Sequence, residues 1–235
     1  MSVDGVARFP LALDVVCILA AIVGYAMELN RRDLLANCVA LGVVTLTPGL
    51  SAAAAAKSWL RSDTKPRPAT PQAELGPFYK RGAPSTATLR APGDPGLPLS
   101  VAGVIYDTRG NILPGAKLEI WQTDHTGHYD LQGYRYRTIL TADAAGMYDF
   151  SSVMPGHYPA RVCQHIHYAV TAPGHKPVVT QLYFASDPVF DGDPDKNYTK
   201  DPLITSRELV RPVMLKGDPQ AMLASVNFEI VMETA

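Results

Sequence analysis

Ser225-Val-Asn-Phe-Glu-Ile-Val-Met232 decides the fold class. Val226, Phe228, Ile230 and Met232 fall on one face of an extended chain, with Asn227 and Glu229 on the other. A side-chain period of two marks a strand that covers a core with one face and meets polar surroundings with the other. Working back from this run, similar stretches occur at Leu99–Tyr106, Lys117–Gln122, Arg135–Ala142, Met147–Phe150, His165–Thr171, Val178–Phe184 and Leu209–Leu215. Turn chemistry separates them, as at Thr108-Arg-Gly-Asn111, Asp143-Ala-Ala-Gly146 and Pro155-Gly156. The expectation is an all-β domain over residues 99–235, an antiparallel β-sandwich of about eight strands.

Upstream of the strands, residues 57–98 carry prolines at 66, 68, 71, 77, 84, 92, 95 and 98. Proline removes a backbone donor and clashes with the preceding helical turn, so this stretch reads as an arm laid over the domain surface. Residues 1–56 read as an export region. From Asn30 the chain runs through Arg31-Arg32, an apolar run Val39–Leu46, a Pro48-Gly49 break and the small residues Ser51–Ala56. That layout resembles a twin-arginine secretory signal over about residues 27–56, cleaved near Ala56 and delivering the protein to the periplasm or beyond. Residues 1–26 are then either untranslated, with Met27 the true start, or a membrane anchor around the apolar Phe9–Met27. On this reading the membrane is met only in transit or through an uncleaved N-terminal segment.

The net charge of −1, from 21 Lys+Arg against 22 Asp+Glu, leaves no basic footprint for a nucleic-acid partner. Hydrophobic residues at 47% and charged residues at 18% suit a globular domain and exclude wholesale disorder. Of Cys17, Cys38 and Cys163 only the last belongs to the sandwich, so no internal disulfide supports it. The loop Ser186–Asp201 holds Asp187, Asp191, Asp193, Asp195 and Asp201 but lacks calcium-loop spacing, and reads as a solvated loop.

All six histidines lie between His125 and His175. His165 and His167 begin a strand-like run, where residues two apart share a face about 6 to 7 Å apart, close enough to share a metal ion. Gly-His-Tyr occurs twice nearby, at Gly127-His128-Tyr129 and Gly156-His157-Tyr158, each expected at a loop tip. Composition does not choose between the tyrosine and its neighbouring histidine as a further ligand. A zinc or copper site using His128 or His157 therefore stands beside other metal readings, as does a non-catalytic β-sandwich binding module.

Several separated stretches resemble the intradiol ring-cleavage dioxygenases, in particular the protocatechuate 3,4-dioxygenase side of that family. They are Leu75-Gly-Pro-Phe-Tyr79; Gly103–Asp107 leading through Gly110, Pro114 and Ala116 to Glu119-Ile-Trp-Gln122; Gly127-His-Tyr129; Thr141–Tyr148; Pro155-Gly-His-Tyr158; His165-Ile-His167; and Thr180-Gln-Leu-Tyr-Phe184. The resemblance implies a non-haem Fe(III) held by Tyr129, Tyr158, His165 and His167. It implies cleavage of a catechol-type aromatic diol by O2 to a cis,cis-muconate-type diacid, with Tyr158 yielding to the diol and taking its proton. Relatives place an arginine three residues before the first histidine, where this chain has Val162, so Arg161 is the expected substitute. From His165 it stands about 13 Å back along an extended chain unless the backbone bends. Arg135 and Arg137 are further candidates, and Gln181 is the expected second polar residue of the pocket. The resemblance also implies assembly into a homo- or hetero-oligomer.

Overall fold

The computed structural model describes residues 65–159, 161–218 and 221–235. The expected export region and the first residues of the arm lie outside the described residues. Among the described residues ten strands form: β1 (Pro98–Asp107), β2 (Lys117–Trp121), β3 (Arg137–Thr141), β4 (Met147–Val153), β5 (His165–Thr171), β6 (Val178–Phe184), β7 (Val210–Arg211), β8 (Met214–Lys216), β9 (Leu223–Asn227) and β10 (Ile230–Met232). The only α-helix among the described residues, α1 (Pro194–Asn197), is one turn long, and no helix there is long and apolar enough to cross a membrane.

The eight expected runs become ten strands because two of them break. Leu209–Leu215 divides at Pro212, which cannot donate to a ladder, giving β7 in one sheet and β8 in the other. Ser225–Met232 divides at Phe228-Glu229, although its alternation persists, with Val226, Phe228, Ile230 and Met232 all buried. The halves pair side by side with one long strand: β1 takes β9 in parallel at Leu99–Ala102 and β10 in parallel at Ile105–Asp107, with β4 antiparallel on its other edge. Gly103 sits at the join. A Cβ there would lie 2.0 Å from the Phe228 carbonyl oxygen, which instead accepts a 2.7 Å hydrogen bond from the Tyr148 hydroxyl.

The architecture is an all-β sandwich of two mixed sheets rather than purely antiparallel ones. One contains β10-β1-β9-β8 with β4 on β1, and the other runs β3-β2-β5-β6-β7, its last pairing also parallel. Alternation along a single strand records which side chains face the core but not the direction of its neighbour.

The core fills from both sheets, with Leu99, Val101, Ile105 and Phe150 on one side and Leu118, Ile166, Tyr168 and Leu182 on the other. Since Ile166 and Tyr168 turn inward, His165 and His167 must face outward on β5. Their paired neighbours on β6, Tyr183 and Gln181, share that outer face, as does Trp121 of β2 opposite His167. The arm covers it. Its backbone bonds to Val179, and Gln181 and Thr180 donate side-chain hydrogen bonds to the carbonyls of Glu74 and Pro71.

Candidate active site

His165 and His167 are buried beneath the arm with their Nε2 atoms 3.2 Å apart. The Nδ1 of His165 lies 2.8 Å from the Cys163 carbonyl, which can only accept, so Nδ1 carries the proton and the Nε2 lone pair points into the shared space. Trp121 stacks on His167 at 4.8 Å and 5° between planes, and the arm backbone at Gly76 packs against the Cε1 edge. Burial drives both imidazoles toward neutrality, with the neighbouring cation Arg161 adding to it. His165 falls to about 3 and His167 well below its usual range.

Tyr129, in the β2–β3 connection, and Tyr158, in the β4–β5 connection, complete the cluster. Their ring centroids are 5.7 Å apart; Tyr129 is 6.4 Å from His167 and Tyr158 is 5.8 Å from His165. Both loops depend on the glycine of their Gly-His-Tyr triplet. Gly127 has φ +87, and a Cβ on it would fall 1.8 Å from the His157 carbonyl oxygen. A Cβ on Gly156 would fall 2.4 Å from the Gly127 nitrogen. The two loops stack backbone on backbone, which brings the tyrosines together.

The same loops carry the histidines away. His128 faces solvent with its side chain 80% exposed, and His157 turns to Asp187, whose carboxylate oxygens lie 3.1 Å from its Nε2. Among the described residues no group of three His, Cys, Asp or Glu side chains could hold a metal ion. The zinc or copper reading through His128 or His157 has no geometric support, and the oxygen donors beside His165 and His167 are phenols.

The two phenols differ. The Tyr129 hydroxyl is buried without a hydrogen-bond partner, under a Phe78 ring stacked at 4.3 Å and a guanidinium of Arg137 5.7 Å from its centroid. Burial, then the adjacent Tyr158 phenol, raises its pKa strongly. Tyr158 is half-buried; burial raises it too, but the Arg161 guanidinium opposes the rise. It lines an open cleft of about 520 Å³ with His157, Pro159, Arg161 and Val162.

Arg161 reaches the cluster because the chain does not run extended into β5. The Arg161 amide donates to the Tyr158 carbonyl at 2.9 Å, closing a turn that folds the side chain back. One guanidinium nitrogen lies 3.4 Å from His165 Nε2, and the other donates to Tyr183 Oη at 2.7 Å and Gln181 Oε1 at 3.0 Å. Arg135 is committed elsewhere, its exposed side chain paired with Asp94 at 2.7 Å. Gln181 is occupied at both ends, its Nε2 donating to the Glu74 carbonyl at 2.6 Å.

Three residues of this neighbourhood were not expected at the site from the sequence. Tyr183 lies in the Thr180–Phe184 stretch that carries the family resemblance, but only Gln181 of that stretch was expected in the pocket. Asp187 and Asp201 sit in the loop expected to be solvated, yet both are buried and accept backbone hydrogen bonds from Gln164 and Cys163. Cys163 is a packed thiol, pushed up to about 12 by burial and then by those two carboxylates.

Fold and cluster together define a class: an all-β sandwich with histidines and tyrosines gathered on an outer sheet face, roofed by an arm and two loops. Within that class the chain belongs to the intradiol ring-cleavage dioxygenase family, matching the Dioxygenase family model over residues 75–234. It is 34% identical over 161 residues to a hydroxyquinol 1,2-dioxygenase of Rhodococcus opacus, covering 58% of this chain and 53% of that protein. It is 32% identical over 187 residues to a catechol 1,2-dioxygenase of Acinetobacter baylyi, covering 67% and 57%. The chain thus spans about half the length of these curated relatives, whose names are of the catechol and hydroxyquinol kind rather than protocatechuate. Among solved structures, the dioxygenase domain of a dioxygenase carbohydrate-binding protein fusion from Streptomyces sp. SirexAA-E aligns with TM-score 0.61 at 30% identity, covering 72% of this chain and all of that one.

Proposed function

We propose that this protein is a non-haem Fe(III) intradiol dioxygenase that cleaves a catechol-type aromatic diol with O2 to a cis,cis-muconate-type diacid, with Tyr129, Tyr158, His165 and His167 holding the metal. The observation that carries the reading is the Tyr129 hydroxyl, buried without a hydrogen-bond partner on a ring beside His167, whose Nε2 meets that of His165. A buried phenol that makes no hydrogen bond is costly unless something else satisfies its oxygen. A hard trivalent cation fits: phenolate oxygens prefer it, imidazoles accept it, and its charge supplies what burial withholds from both tyrosines. Bound there, ferric ion would act as a Lewis acid that lowers the pKa of the diol hydroxyls, so that the ring would meet dioxygen as its more electron-rich diolate.

The chain's own residues divide the remaining work. Tyr158, at the cleft mouth and eased toward its anion by Arg161, accepts a diol proton at its Oη. Arg161 presents a fixed guanidinium where negative charge develops on the ring and its oxygens. Gln181 holds that guanidinium in place, and Trp121, Phe78 and the arm keep water from the imidazoles. The Arg31-Arg32 pair supports export to the periplasm or beyond, which N-terminal sequencing of the secreted protein tests.

Loading the protein with iron should give a red-brown ferric-tyrosinate colour that shifts on adding a diol, followed by oxygen uptake. Catechol, protocatechuate and hydroxyquinol are the substrates to compare. A colourless iron-loaded protein overturns the metal assignment; a coloured one that takes up no oxygen with any of them overturns the activity and restores the inactive module.

A further inference from the structure

Arg161 is four residues before His165, and nothing in strand geometry aims a side chain from there at His165 Nε2. The turn at Tyr158 brings its backbone near, but a long flexible side chain beside an open cleft of about 520 Å³ has solvent as an easy alternative. Instead the Arg161 side chain is only 7% exposed. What opposes its charge is Asp201, 1% exposed, with Oδ2 3.5 Å from the guanidinium nitrogen that also meets Tyr183 and Gln181.

Asp201 is itself tightly held. Its Oδ2 accepts from the Cys163 amide at 3.2 Å and its Oδ1 from the Leu203 amide at 3.0 Å, while the Leu203 carbonyl accepts from Tyr183 Oη at 3.3 Å. One carboxylate therefore binds the loop that follows α1, the backbone two residues before His165, and the guanidinium. Tyr183 and Gln181 are neutral, and Asp201 is the one carboxylate paired with Arg161 among the described residues. A buried cation needs such a partner.

We propose that Asp201 is the positioning residue for Arg161: the carboxylate holds the guanidinium at His165 and so offsets the one-residue displacement of this arginine along the chain. The inference rests on the proposed function only in assigning Arg161 a role at the ring; the positioning itself is a property of the protein.

Asp201→Asn keeps the size and removes the charge. In the iron-loaded full chain it should retain the tyrosinate colour and bind diol, read from the colour shift, within about threefold of the parent. The kcat for oxygen uptake should fall at least about tenfold, and Asp201→Glu should recover part of it. Because Asp201 acts through Arg161, the Arg161→Ala/Asp201→Asn double variant should be no slower than Arg161→Ala alone. In the full chain loaded with diamagnetic Ga(III), the Arg161 Nε–H NMR signal, identified by its loss in Arg161→Ala, should be sharp in the parent and broadened or exchanged away in Asp201→Asn. An unchanged Nε–H signal overturns the proposal, as does a kcat within twofold of the parent or additive losses in the double variant. If the parent itself takes up no oxygen with any diol, the proposed function fails, and the NMR comparison alone still decides whether Asp201 positions Arg161.

Discussion

Two tyrosines a few ångströms apart are set to do different things. The Tyr129 hydroxyl is buried, capped by Phe78 and without a hydrogen-bond partner, whereas Tyr158 lines the open cleft with a cation beside it. Tyr129 suits a permanent ligand and Tyr158 one that leaves and accepts a proton. Tyr129→Phe should therefore cost the iron-loaded protein most of its colour and lower its iron affinity, measured by competition with a chelator. Tyr158→Phe should keep iron bound but lower kcat by about 10²-fold, the lower range for losing a positioned acid–base group. Equal loss of iron in both variants would remove the distinction. At this scale the sequence was unevenly legible. Spacing alone put His165 and His167 on one face, but the tyrosines needed the family resemblance, because each has a histidine beside it. Asp201 and Asp187 were invisible because what matters is the residue they meet: Cys163 and Asp201 are 38 residues apart in the chain.

At the scale of elements, the two Gly-His-Tyr loops work as a unit through their glycines. Gly127→Ala would set a methyl 1.8 Å from the His157 carbonyl at φ +87, so one loop must move off the other and carry its tyrosine with it. Gly174→Ala gives a reference, since Gly174 has φ +71 but nothing within 4 Å of an added Cβ. The reference should lose about 1–2 kcal/mol from left-handed backbone strain and keep its colour when iron-loaded. Gly127→Ala should lose more stability in thermal melts and also lose colour. Retention of full colour by Gly127→Ala would mean that the stacking does not set the tyrosine positions. The strands themselves were readable as apolar, β-branched runs bounded by turn residues, and β5 and β6 run from His165 to Thr171 and from Val178 to Phe184, as expected. Pairing direction was not readable, and β1 accepts two parallel neighbours only because Gly103 admits the Phe228 backbone.

For the whole molecule, the cost of the site falls on the metal-free fold. His165 is held at about 3 and His167 well below its usual range by burial, while in the unfolded chain both protonate near 6.5. Below 6.5 the unfolded chain therefore binds protons that the folded one refuses, so the stability of the metal-free protein falls as pH drops from 6.5 toward 3 and is insensitive to these groups above that window. Iron bound to the same nitrogens, as proposed, would stabilise only the folded chain, and protons would compete for those ligands and for both phenols. The melting temperature of the iron-loaded protein should exceed that of the metal-free form at neutral pH, and the gap should narrow steadily on acidification as the metal is released. Replacing His165 and His167 together with Gln should remove the iron-dependent gap and flatten the part of the acid slope these two residues cause. A metal-free protein equally stable at pH 7 and pH 5, or a melting temperature indifferent to iron, would show that the cluster is an ordinary packed polar patch, and that the sandwich stands on its hydrophobic core alone.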